Sequence, residues 1–189
     1  MWFVVNVRPG CEERVADMLR ASVSASCVEG VFVPLSELRD GVLVPLVEGC
    51  VLVCAPSVRE MRAAVHLAHL PDDLLAKGAK SFTELSDAEA DAVASLLGAS
   101  SASEFELTAS APAAFSEATG LPGGGFRATS GALAGREGLV RRKSARRKCA
   151  WLPVTLGGEP REAVLGLRVT RRVASQPCVS APLEAARSG

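Results

Sequence analysis

The chain has 189 residues, 48% of them hydrophobic but only 4% aromatic, and balances 21 basic against 21 acidic residues. That length admits one large domain or two small ones with cores of Val, Leu and Ala, and the near-zero net charge hides an asymmetry. Residues 1–125 hold 8 Lys/Arg and 17 Asp/Glu, a net −9, whereas residues 126–189 hold 13 and 4, a net +9. Two units with different partners are therefore expected, the basic one facing a polyanion or an acidic protein surface.

The opening run 2–7 is apolar and of strand length, and no basic residue precedes it. It is too short to span a bilayer or to act as a signal peptide, so a cytoplasmic protein without membrane contact is expected. Pro9-Gly10 breaks the run, and residues 12–25 place Val15, Met18, Leu19 and Val23 on one helical face. Residues 31–33 form a short strand ended by Pro34, and Asp40-Gly41 is the pair that a tight hairpin turn prefers. Strands follow at 43–47 and 50–55. Ser57 and Glu60 then have capping-box spacing, ahead of a helix carrying Val58, Met61, Val65 and His69. The order β-α-β-β-β-α calls for an antiparallel sheet covered by helices.

The middle of the chain offers a second capping box, Ser86 to Glu89, and an accessory helix over 87–97 with Ala88, Val93, Leu96 and Leu97. Residues 99–125 are rich in Ser, Ala, Gly and Pro and read as a flexible linker, with 104–107 as a short docked strand or part of the linker. Beyond it the pattern changes to short strands: 126–129, a glycine loop at 131–138, 139–143, a basic turn, and 149–156, where Ala150, Leu152, Val154 and Leu156 alternate against Cys149, Trp151, Pro153 and Thr155. Gly157-Gly158 turns the chain into a returning strand at 162–165. Four or five such strands suit a small SH3-like barrel. The fold class is thus α+β, an antiparallel sheet with helices followed by an all-β barrel. The expected organisation is 1–98, a linker at 99–125, a barrel at 126–172 and a disordered tail at 173–189.

No chemistry emerges. The cysteines at 11, 27, 50, 54, 149 and 178 contain no C-x₂-C pair, and His66 and His69 have no third histidine to complete a metal site. Walker, dinucleotide, nucleophile-elbow and paired-carboxylate patterns are absent, so neither an enzyme nor a cofactor is expected. The basic turn is the outstanding feature: Arg136, Arg141, Arg142, Lys143, Arg146, Arg147 and Lys148 place seven cations in thirteen residues. Cations so dense repel one another unless a polyanion compensates them, which favours RNA or DNA contact, with Trp151 or Phe126 offering a stacking face.

Trp2-Phe-Val-Val-Asn-Val-Arg-Pro-Gly10, Phe32-Val-Pro34 and Val47-Glu-Gly-Cys-Val-Leu-Val53 resemble the N-terminal (NGN) domain of the NusG transcription elongation factors. Gly131-Ala-Leu-Ala-Gly135-Arg-Glu-Gly138-Leu-Val and Arg146 through Val169 resemble a KOW domain. The order of the two segments strengthens the resemblance, and the basic turn and extra middle segment look more like the specialised antiterminators of the LoaP or RfaH kind than the general factor. The resemblance implies a monomer whose N-terminal domain binds the clamp of RNA polymerase through an exposed patch including Asn6, Arg8, Val47, Cys50 and Leu52, and suppresses pausing or termination. It also implies a KOW barrel that meets RNA, DNA, the ribosome or a termination factor. Val47, Cys50 and Glu48 depart from the aromatics and Pro usual in that patch. An RNA-binding or ribosome-associated KOW protein without polymerase activity is the alternative. The opposite net charges make docking of the two units onto each other a further expectation.

Overall fold

A computed structural model describes residues 1–22, 28–78, 80–101 and 111–170. The expectations for Val23, residues 104–107 and the tail at 173–189 lie outside these residues.

Strand β1 (Trp2–Asn6) leads through the Pro9-Gly10 break into helix α1 (Glu12–Ser22). The short strands β2 (Gly30–Phe32), β3 (Leu35–Glu37) and β4 (Leu43–Pro45) follow, then β5 (Cys50–Cys54), helix α2 (Val58–Leu67) and β6 (Phe82–Glu84). Strands β2, β5, β1 and β6 form an antiparallel sheet in that order, while β3 and β4 make a separate hairpin. At the hairpin turn Asp40 and Gly41 adopt φ of 63° and 74°, the left-handed conformation that an Asp-Gly pair tolerates.

Of the two expected capping boxes, the one at Ser86 forms completely, whereas at Ser57 only the serine caps the helix and the Glu60 carboxylate accepts from the Ser57 hydroxyl. Ser57 Oγ accepts the amide N–H groups of Arg59 and Glu60 at the start of α2. Ser86 and Glu89 satisfy each other's backbone at the start of α3 (Asp87–Leu96). Helix α2 buries Met61 and Ala64, with Val65 half-buried against the same core and Ala68 buried at the C-cap; of the expected stripe, Val58 and His69 are instead exposed, and His69 lies beyond the helix with a φ of 44°. In α3, Ala90, Val93, Ala94 and Leu96 are buried and Ala88 is not.

The second unit begins earlier than its composition suggests. Ser116–Gly120, expected in the linker, forms β7 and pairs in parallel with the end of a long C-terminal strand, while Ala113 joins the β3 backbone. Strands β8 (Phe126–Ala128), β9 (Arg142–Ser144), β10 (Cys149–Leu156) and β11 (Glu159–Thr170) complete a five-stranded sheet ordered β8-β7-β11-β10-β9. Its outer strands β8 and β9 are not paired by a backbone ladder, so the barrel is left open along one side. Lys143 crosses that gap, donating to Gly124 O at 2.7 Å and placing its Nζ 5.2 Å from the Phe126 ring centre. Gly157 and Gly158, at φ of 63° and 78°, make the β10–β11 turn that their pairing demands.

The antiparallel sheet is apolar on both faces. Phe3, Val5, Val51 and Val53 pack against Val15 and Leu19 of α1 and Met61 and Ala64 of α2. Val4, Cys50 and Leu52 on the other face share a core with Val93 and Leu96 of α3 and with Leu152, Ala163 and Leu165 of the second unit. Strands buried on both faces read as continuous apolar runs, which is why 2–5 and 50–54 lack alternation.

Candidate nucleic-acid interface and the covered sheet face

The two units meet along a seam built mainly from backbone and apolar side chains. Val164 N–H donates to Leu46 O at 2.8 Å, and Val47 bridges to Ala163. Arg161 Nη2 donates to Asn6 Oδ1 at 3.0 Å, and the Gly158 N–H donates to Glu89 Oε1 at 2.8 Å. Burial pushes the Glu89 pKa up, but the amides of Gly158 and Ser86 and the Ser86 hydroxyl outweigh it, and the carboxyl titrates below its usual range.

Two glycines permit this approach. A Cβ on Gly157 would lie 2.8 Å from Thr83 Cγ2, and one on Gly166 would collide with the backbone oxygen of Glu37 and the Phe115 ring. The expected docking is present, but its basis differs from the expectation: apolar burial and these neutral or singly charged hydrogen bonds form the seam. The ion pairs Arg142–Glu162, Arg161–Glu159 and Arg168–Glu117 each lie inside the second unit.

Docking changes the standing of the candidate polymerase patch. Asn6, Val47, Cys50 and Leu52 do come together on one sheet face, with Asn6 opposite Cys50 and Val4 opposite Leu52 in register. Their exposures are 5, 2, 0 and 2%, so a patch expected at the surface is instead covered by α3 and the second unit. Arg8 alone of the five is exposed. Burial pushes the Cys50 thiol up to about 11, with Arg161 opposing and Glu12 and Glu159 adding to the shift. Cys11, Cys50, Cys54 and Cys149 are free thiols, and among the described residues no group of three or more metal-ligating side chains occurs.

The seven cations divide by what they touch. Arg136 is a structural clamp: Nη1 donates to Ala132 O at 3.0 Å and Nη2 to Ser95 O at 3.2 Å and to Ser95 Oγ, tying the glycine loop to α3. Arg142 pairs with Glu162 at 2.7 Å and stacks 4.2 Å over the Trp151 ring. Lys143 is spent on the β8–β9 gap, and Lys148 sits half-buried in the turn at a φ of 51°. The side chains of Arg141, Arg146 and Arg147 are exposed, with no hydrogen-bond or ion-pair partner among the described residues. The β9–β10 hairpin thus presents three unpaired guanidinium groups beside a stacked Arg–Trp pair. Residue counting did not separate these from Arg136, and it missed Arg161, whose seam position follows from β11 passing Asn6.

The class defined by these features is a two-unit α+β protein whose strand-rich unit carries a cationic hairpin and covers an apolar sheet face of the first. No helix of the described residues is long and apolar enough to cross a membrane. No protein-family model and no curated protein matches the chain. Among solved structures it is similar to NusG of Thermotoga maritima, determined for the interaction of its domains, with 16% identity, a TM-score of 0.46, and coverage of 87% of this chain and 92% of that one.

Proposed function

We propose that this chain is a non-enzymatic transcription elongation and antitermination factor of the NusG kind, of the specialised LoaP or RfaH type. Its N-terminal unit binds the clamp of RNA polymerase and its basic unit holds RNA or DNA. The observation that supports the reading is the convergence of Asn6, Val47, Cys50 and Leu52 on one apolar sheet face whose cover is a remote part of the chain. Where α3 of the first unit covers that face, through Val93 and Leu96, it is core and nothing more. A face covered by a second unit can be uncovered, and then offers apolar area to a partner.

In this reading the docked form is closed and the polymerase site opens when the second unit leaves. The unpaired Arg141, Arg146 and Arg147 give that unit a salt-sensitive grip on phosphates. Gly166→Val, which drives a side chain into Glu37, tests the idea. The variant should bind purified core polymerase at least tenfold more tightly than the unaltered chain and raise terminator readthrough in a purified system. Absence of any association at low salt, with the variant's N-terminal unit folded by circular dichroism, overturns the reading in favour of an RNA-binding or ribosome-associated protein.

A further inference from the structure

A cleft of about 620 Å³ opens on the seam itself. One wall is Val47 and Glu48 of the first unit; the other carries Arg141, Arg142, Arg147 and Arg161 with Trp151. The first wall is held in place, because Glu12 Oε1 accepts the Gly49 N–H at 2.7 Å directly after Glu48. Four guanidinium groups therefore face Glu48 across one concavity; Arg142 is paired with Glu162 on its own wall, and Arg161 with Glu159 and Asn6, while those of Arg141 and Arg147 have no side-chain partner among the described residues.

The chemistry of this lining is more specific than a basic surface. Unpaired guanidinium groups in a concavity match phosphate oxygens, to which Arg donates in bidentate fashion. The Arg142–Trp151 stack provides a flat surface on which a base can lie. The exposed Glu48 carboxylate, which has no hydrogen-bond partner among the described residues, is of the kind that accepts ribose hydroxyls. The volume falls within the range of small-molecule sites, which run from about 300 to 1,000 Å³. We propose that the seam cleft is a nucleotide-binding site, with Arg141 and Arg147 on the phosphates, the Arg142–Trp151 stack under the base and Glu48 on the sugar. Its two walls belong to different units, so the site is complete only while they are docked.

The inference goes beyond polymerase binding and does not depend on it. Its test uses the full chain at low salt, titrated by calorimetry with ATP, with inorganic tripolyphosphate and with a short single-stranded RNA. Arg141→Ala and Arg147→Ala should each weaken binding of the nucleotide probe by about tenfold or more. Arg127→Ala, which removes an exposed cation of β8 outside the cleft, should leave it within twofold. Saturable ATP binding with that pattern identifies a free nucleotide as the source of the phosphate; the same pattern with the RNA alone identifies a strand. Three results overturn the proposal: no probe binds, Arg127→Ala costs as much as Arg141→Ala, or tripolyphosphate binds as tightly as the nucleotide.

Discussion

The two faces of the β1–β5 sheet are equally dry and differently owned. Phe3, Val5, Val51 and Val53 are covered by α1 and α2, which belong to the same stretch of chain. Val4, Cys50 and Leu52 are covered by α3 and by strands lying about a hundred residues further on. Burial alone does not distinguish a permanent core from a reversible cover; the connectivity of the covering elements does. The first face should fail only when the N-terminal unit unfolds, whereas the second can be exposed by a hinge motion that leaves both units folded.

Phe3→Ala gives the largest expected effect. It removes a fully buried ring from the helix-covered face and should cost about 3–5 kcal/mol, read by urea denaturation of the whole chain. A cost below about 1 kcal/mol would mean that this face is as adaptable as the other.

Gly166→Val should instead cost about 1–3 kcal/mol and act on the seam. Cys50 reports the outcome. Buried, with its thiol pushed up to about 11, it should resist alkylation at pH 8 in the unaltered chain and react at least tenfold faster in the variant, located by peptide mass spectrometry. Equal reactivity would show that the second face stays covered.

A smaller effect separates the cations. Arg136→Ala should loosen the seam by about 1–2 kcal/mol, since it donates to two backbone carbonyls, yet leave affinity for single-stranded RNA unchanged. Arg146→Ala should do the reverse. Salt-dependent binding titrations of both variants decide the matter, and loss of RNA affinity in Arg136→Ala would return it to the interface.

The smallest effect is that of pH. Glu89 titrates lower in the docked state than in the free chain, so its contribution is present above the ordinary glutamate range, near about 4.3, and is lost as pH falls through the folded value. Acidification should therefore raise Cys50 accessibility slightly, and Glu89→Gln should remove that dependence.

Local chemistry was legible in the residues and long-range pairing was not. Asp40-Gly41, Gly157-Gly158, the Ser57 N-cap and the Ser86–Glu89 capping box stand where their side chains and backbone freedom require, because each is settled within four residues. Ser116–Gly120 was hidden, since Glu117, Ala118 and Gly120 have weak strand propensity and its place is decided by β11 alongside it. The gathering of Asn6, Val47, Cys50 and Leu52 on one face was anticipated, but their cover was not. The signal lay in the unbroken apolar runs of β1 and β5, which ask for two covers where α1 and α2 supply only one. Among the cations, charge counting could not tell Arg136 from Arg147, because the difference is the position of Ser95 in space.

The shared core has a consequence for synthesis. The first unit can close its helix-side core once residue 85 or so has left the ribosome, but Val4, Cys50 and Leu52 await Leu152, Ala163 and Leu165. At elongation rates of about 5–20 residues per second, that face lacks its strand cover, with only α3 to shield it, for roughly 4–16 s in every nascent chain. During that interval each new molecule displays the surface that the finished one conceals, next to the ribosome that made it.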